Sequence, residues 1–317
     1  MSWADQAAPT LFRAGWSGVR RLPVRSAYAF FDRVADAVYR RDTVDVRRLR
    51  ANYVRVRPEL SAGGLEALVQ AGMRSYLRYW CEAFRLPELS VVELAASVRP
   101  VGAEALRTEL AQGRSVAAFL AHMGNWDLAG AWSSSSLAPV VTVAERLRPE
   151  ALFEEFVSFR TGLGMSILPL TGGAPSFPEL VRAVEGGGRL VPLLADRDLT
   201  SHGVEVVFCG RRARMAAGPA ALAVSTGCSL YPISMRHESV PRRVAPGGWR
   251  TVITFHDRVV DDGGGSSEER VARLTQRCAE VMSVQVRRYT QDWHMMQQVF
   301  VGDGFGPEGL RRGEGRP

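Results

Sequence analysis

The chain has 317 residues, 46% hydrophobic and 23% charged, which excludes disorder, collagen and a coiled coil as its main class and leaves room for an α/β domain with an accessory part. Four cysteines, at 81, 209, 228 and 278, form no C-x-x-C pair, so a structural zinc site and a dense disulfide framework are excluded and a reducing compartment is expected. The net charge is +7 with no lysine at all, and residues 1–60, with 12 arginines against 6 acids, hold +6 of it.

Leu11, Phe12, Trp16, Val19 and Leu22 recur at helical period beside Arg13, Arg20 and Arg21. Tryptophan and phenylalanine on the apolar side of a basic helix suit the surface of an anionic leaflet, though a helix packed on protein carries the same stripe. The aromatic side chains are not interleaved with the arginines as stacking platforms, so no nucleic acid is expected. Pro23 starts a second helix through Phe31 and Val38, a third carries Leu49 and Tyr53, and a fourth runs from Leu65 to Phe84. No apolar run reaches about 18 residues, so no membrane-spanning helix is expected. No leader segment is expected either.

From about residue 97 the rhythm changes to short apolar runs alternating with helical stretches. Strands are predicted at 115–120, 139–143, 166–170, 190–194, 205–208, 230–235 and 250–255, with helices at 126–137, 149–162, 178–185 and 216–226. A long helix capped at Ser266 or Ser267, with Glu269 placed for a capping box, reaches about Tyr289. This pattern predicts an α/β fold with a central, largely parallel mixed sheet flanked by helices. The expected organisation is an N-terminal helical, membrane-associating segment over 1–90, an α/β core over 91–300 and a disordered tail over 301–317.

Several chemistries lose their motifs. There is no G-x-S-x-G, no G-x-G-x-x-G opening a helix, no G-K-[ST], no H-E-x-x-H and no metal-spaced cysteine pair. One constellation remains. Phe119-Leu-Ala-His122-Met-Gly-Asn-Trp-Asp127 puts a histidine just past a buried strand and an aspartate five residues on, at a helix start. Ligands of open α/β sheets bind at the carboxyl ends of the strands. Gly124 permits a tight turn and Asn125 can cap the helix. An imidazole there, held by a carboxylate, can act as a general base directly on a substrate hydroxyl, since no serine or cysteine nucleophile lies beside it. Asp127 is the favoured partner of His122. Asp196, just past the 190–194 strand, is the alternative.

H-x-x-x-x-D after a strand resembles the glycerolipid acyltransferase superfamily, and the surrounding residues are similar to the late acyltransferases of lipid A biosynthesis. The resemblance rests on Phe119–Asp127, on the stretch from Ala195-Asp-Arg-Asp through Val204-Glu-Val-Val-Phe-Cys-Gly210, and on Gly218–Pro232. Cys209 stands where the family usually has a second phenylalanine. Gln291-Asp-Trp-His-Met-Met-Gln297 is most similar to the tryptophan motif of the actinobacterial phosphatidylinositol mannoside acyltransferases.

The resemblance implies transfer of a long fatty acyl chain, palmitoyl for preference, from acyl-CoA to a mannose hydroxyl of a membrane glycolipid. Acyl-carrier protein as donor and lysophosphatidate as acceptor are the alternatives within enzymes, and a lipid-binding protein without turnover is the alternative outside them. Catalysis falls to His122 with Asp127 and Asp196, and substrate binding to Glu145, Arg160, Arg197, Asp198 and Trp126. Oxyanion donors are sought among backbone N–H groups near Gly124 or a nearby side chain. No metal or cofactor is expected besides acyl-CoA as co-substrate. The expected state is a peripheral monomer on the cytoplasmic face of the plasma membrane. His202, His237 and His256 have no motif around them, and His294 is expected to pack against the site.

Overall fold

The computed structural model describes residues 18–145, 150–169, 176–198, 203–245 and 247–302. The expectations for Leu11, Phe12, Trp16, Arg146, Arg148, His202 and nearly all of the tail fall outside these residues. After helical residues 18–21 come three longer helices: α1 (Val24–Arg40), α2 (Val44–Val56) and α3 (Ala62–Arg85). Thr43 and Ser61 cap the second and third, their side-chain oxygens accepting from the Val46 and Gly64 amides. Ala27 and Phe31 of α1 pack with Cys81 of α3. Arg74 pairs with Asp36 at 2.8 Å and Arg50 with Glu66 at 2.6 Å, so part of the N-terminal positive charge is neutralised within the fold. Arg25, Arg33, Arg40 and Arg41 stay exposed beside Phe30 and Leu22.

The core of the molecule is a mixed sheet. Its strands are β1 (Val98–Val101), β2 (Val116–Leu120), β3 (Val140–Ala144), β4 (Met165–Pro169), β5 (Leu190–Leu194), β8 (Ser229–Ser239) and β9 (Trp249–Phe255). Among the described residues the seven strands run in the order β1-β9-β8-β2-β5-β3-β4. Every pairing is parallel except β8 with β9. A separate antiparallel hairpin joins β6 (Val204–Phe208) to β7 (Arg211–Met215). The helices of this part are α4 (Val91–Ala96), α5 (Glu104–Ala111), α6 (Trp126–Ser136), α7 (Glu150–Gly162), α8 (Ser176–Glu185), α9 (Gly218–Thr226) and α10 (Ser267–Arg288). Ser266 and Glu269 form the expected capping box on α10.

The sheet is covered on both faces, as its unbroken apolar runs require. Alternate residues of β2 divide between two cores. Ala117 and Phe119 join Tyr53, Leu180, Leu222 and Met282 on one side. Val116, Ala118 and Leu120 join Leu106, Trp132, Ile233 and Phe255 on the other. Two strands were not expected from the sequence. β1 is an edge strand that buries only its first residue, Val98. β7 is an arginine-rich strand that buries only alternate residues.

Candidate active site

Parallel pairing assembles the site. Leu120 of β2 lies opposite Leu194 of β5, and the Ala195 amide donates to the Leu120 carbonyl at 2.9 Å. Two residues beyond that matched pair stand His122 and Asp196, side by side at the carboxyl edge. The His122 Nδ1–H donates to Asp196 Oδ1 at 2.5 Å, and the His122 amide donates to Asp196 Oδ2 at 3.0 Å. The Trp293 indole N–H donates to Oδ2 as well, at 2.8 Å.

Asp196 is fully buried. Burial works to raise its carboxyl, but the His122 imidazole, the indole N–H and the backbone N–H together hold it below its ordinary value. With Nδ1 committed to a carboxylate, Nε2 is the nitrogen left for proton transfer.

The sequence's preference for Asp127 as the partner of His122 is therefore corrected. Asp127 sits in the first turn of α6, buried, and accepts from Arg160 Nε at 2.6 Å, from Arg160 Nη2 at 3.3 Å and from the Tyr79 hydroxyl at 2.6 Å. Five residues along a turn and helix start carry its side chain away from His122 and toward α7. Burial tends to lower the Arg160 guanidinium, and the ion pair with Asp127 outweighs it, so Arg160 stays firmly charged. Burial and the neighbouring Asp127 push the Tyr79 phenol well above its usual value, keeping its proton on the bond.

The loop between His122 and α6 is tightly held. Gly124 has a φ of +57°, and a Cβ there would sit 2.9 Å from the Met235 backbone, so only glycine fits. The Asn125 side chain accepts from the Leu128 amide at 2.9 Å and caps α6 as expected. Trp126 stacks on Tyr79 with centroids 4.2 Å apart and meets the His122 ring edge-on at 5.7 Å. The Gly124 amide donates to the Asp292 carbonyl and the Met123 amide to the Ala121 carbonyl, so neither is left for an oxyanion.

His122 lines a cleft of about 380 Å³ together with Glu145, Arg160, Arg197 and Asp198. Four of the five expected substrate-binding residues thus meet there. The fifth, Trp126, lines a smaller apolar cavity of about 90 Å³ with Met165, Ile233 and Phe255. Val143, Arg160 and Leu194 line both. Arg197 donates to Glu145 at 3.0 Å and also to Gln297 of the C-terminal segment. Asp198 accepts from the Gly203 amide at 2.8 Å. Phe177, 38% exposed, stands in the cleft wall.

The C-terminal motif closes the site from behind. Tyr53 donates to the Trp293 carbonyl at 2.9 Å, Asn52 donates to those of Met295 and Gln297, and the His294 amide donates to the His122 carbonyl at 2.8 Å. His294 thus packs against the site. Tyr79, Ser75, Glu82 and Asn52, all facing this region from α2 and α3, carried no motif that could have marked them. No group of three or more His, Cys, Asp or Glu among the described residues is placed to hold a metal.

The profile of the bacterial lipid A biosynthesis acyltransferases matches residues 6–301. The phosphatidylinositol mannoside acyltransferase of Mycolicibacterium smegmatis is 38% identical over 293 residues, 92% of this chain and 91% of that protein. Those of two Mycobacterium tuberculosis strains are each 37% identical over 295 residues, covering 92% of this chain and 88% of theirs. A histidine–carboxylate pair at the carboxyl edge of a parallel sheet, an apolar recess beside it and a match across nearly the whole chain converge: the protein is an acyltransferase and belongs to the bacterial lipid A biosynthesis acyltransferase family.

Proposed function

We propose that this enzyme moves a long-chain acyl group, palmitoyl for preference, from acyl-CoA to a mannose hydroxyl of a phosphatidylinositol mannoside, with His122 as general base. The observation that carries the reading is the His122–Asp196 pair opening onto a cleft with an apolar extension. His122 Nε2 takes the hydroxyl proton as the oxygen attacks the thioester carbonyl. Asp196 stays ionised and holds the imidazolium that forms. The tetrahedral oxyanion collapses to ester and thiolate, and the imidazolium returns its proton to the sulfur. Arg160, oriented by Asp127 and lining both cavities, supplies positive charge for the oxyanion.

The acyl chain takes the apolar wall of Phe177, Leu180 and Leu193, and Arg197 with Glu145 marks the polar end of the cleft. The acceptor's name comes from the relatives. Incubation with palmitoyl-CoA and either mannosylated phosphatidylinositol or lysophosphatidate, read by mass spectrometry, tests the reading. Acylation of the mannoside is expected, and acylation of lysophosphatidate alone overturns it.

The same proposal places the protein peripherally on an anionic leaflet, at the cytoplasmic face of the plasma membrane. No helix among the described residues is long and apolar enough to cross a membrane. The exposed face of α1 carries Arg25, Arg33 and Arg40 beside Phe30. Each such cation near a leaflet contributes about 1 kcal/mol, screened over roughly 8 Å at physiological salt. Vesicle binding is expected to require anionic lipid, to weaken as salt rises, and to fall further in the Phe12→Ala/Trp16→Ala variant. Equal binding to neutral and anionic vesicles overturns this part.

A further inference from the structure

Behind the His122 loop lies a second histidine–carboxylate cluster that acyl transfer does not use. His237, near the end of β8, has a side chain only 1% exposed. Its Nδ1 lies 3.1 Å from Asp292 Oδ1 and its Nε2 lies 3.3 Å from Glu82 Oε2. Both ring nitrogens meet carboxylate oxygens, and both carboxyls are held below their ordinary values, the arrangement of an imidazolium between two anions. Each carboxylate residue is tied to the reactive loop. Glu82 Oε2 also accepts from Asn125 Nδ2 at 2.8 Å, and the Asp292 carbonyl accepts the Gly124 N–H at 2.9 Å. His294 closes the circuit. Its amide holds the His122 carbonyl, and its Nε2 donates to Ser75 Oγ at 2.9 Å, whose hydroxyl in turn donates to Asp292 Oδ1 at 2.6 Å.

We infer that Glu82, His237 and Asp292 form a positioning unit for the catalytic loop, in which the positive His237 ring clamps two carboxylate residues that fix Asn125 and Gly124, and through them the direction of the His122 imidazole. The inference rests on the reading of His122 as the base. The surroundings of His237 favour its charged form. Glu82, Arg78 and Ser75 face the cluster from α3, Asp292 and His294 from the C-terminal turn, Asn125 from the loop and Trp249 from β9, with Tyr28 of α1 donating to Glu82.

Arg78 is the one other cation of this group, and it lies over the Trp249 ring. Burial works against a charged ring, but Glu82 and Asp292 outweigh it and lift His237 to about 9. His294, pushed down to about 3 by burial and by the charge on His237, stays neutral. Once His237 loses its proton, one of its two clamping bonds is lost and the carboxylates face each other uncompensated.

The test uses the full-length protein with two readouts. Hydrogen exchange of the Gly124 and His294 amides, which donate to the Asp292 and His122 carbonyls, reports the clamp directly and does not depend on which lipid is acylated. His237→Gln is expected to speed that exchange about tenfold or more, corresponding to a locally opened loop. In the palmitoyl-CoA assay the same variant is expected to lose about 10²-fold in kcat with little change in KM for the donor, as a misdirected base would. The Glu82→Gln/His237→Gln double variant removes one of the two stranded anions and is expected to recover part of that loss. Unchanged Gly124 exchange in His237→Gln overturns the inference whatever the activity does, and so does a double variant no better than the single one. Should His237→Gln fail to fold, the wild-type protein decides: protection at Gly124, corrected for intrinsic exchange, must fall as pH passes through about 9, and constant protection overturns the clamp. A wild-type protein that fails to acylate the mannoside, while exchange in His237→Gln speeds up as expected, would instead count against the proposed acceptor.

Discussion

The enzyme holds two histidine–carboxylate clusters joined through one loop, built from the same side-chain types but unlike in exposure and in the number of carboxylates. His122 has one carboxylate, on Nδ1, and its side chain is 17% exposed where it lines the cleft. His237 has two, one on each nitrogen, and is sealed from solvent. One carboxylate fixes a tautomer and leaves a nitrogen free to pick up and return a proton. Two carboxylates hold both protons in place and turn the ring into a fixed cation. Exposure and the number of anionic partners, rather than the residue itself, separate the imidazole proposed as base from the one proposed as clamp.

Removing the reactive ring has the largest expected effect. His122→Ala should cut turnover by about 10²–10⁴ in a steady-state acylation assay, with thermal melting little changed. Near-normal turnover in a folded variant would leave the two clusters functionally indistinguishable.

Exchanging the carboxylates sharpens the contrast. Asp196→Asn removes the acceptor of the Nδ1–H and should lower kcat by up to about 10⁴, as loss of the correct tautomer does. Asp127→Asn leaves that bond intact but strips a buried guanidinium of its partner. Its chief cost should be stability, about 3–5 kcal/mol in a denaturant titration, with a smaller loss of turnover. The reverse order of kcat losses would return Asp127 to the role that the sequence favours.

The smallest effect is on stability against pH. His237, raised to about 9 in the folded chain, contributes stability that is complete below its unfolded value near 6.5 and is lost as pH rises through about 9. His294, held neutral down to about 3, acts in the other direction, and the folded state weakens as pH falls from about 6.5 toward 3 because only the unfolded ring takes up the proton. Asp196, Glu82 and Asp292, all depressed, add to the loss on the acid side below about pH 4. The unfolding free energy should therefore peak near pH 6–7, falling by up to about 3 kcal/mol on the alkaline flank and by more on the acid flank. His237→Gln should flatten the alkaline flank and also soften the acid flank, because the His237 charge helps to hold down His294, Glu82 and Asp292; an unchanged alkaline flank would place the proton elsewhere.

Most of the parallel sheet was legible because its central strands are buried on both faces and stand out as short apolar runs between helices. His122 was legible for the same reason, since it follows the run ending at Leu120. β1 and β7 were not, because an edge strand carrying proline and a hairpin strand carrying arginine bury only part of their length. The choice between Asp127 and Asp196 was hidden too. Proximity in sequence favours Asp127, whereas strand pairing, which brings residues 74 positions apart into contact, favours Asp196. The role of His237 was out of reach, because its partners Glu82 and Asp292 come from a helix and a turn far away in the chain.

The matched pair Leu120 and Leu194 has a consequence for how the enzyme comes into being. The His122 imidazole, its carboxylate and the indole that steadies it are drawn from positions 122, 196 and 293, so long loops must close before any of them meet. Local helix formation in the N-terminal third can proceed without them, but no partly assembled chain possesses the catalytic pair. During refolding, activity should lag helical signal and return together with the last long-range strand contacts, making turnover itself a reporter of completed folding.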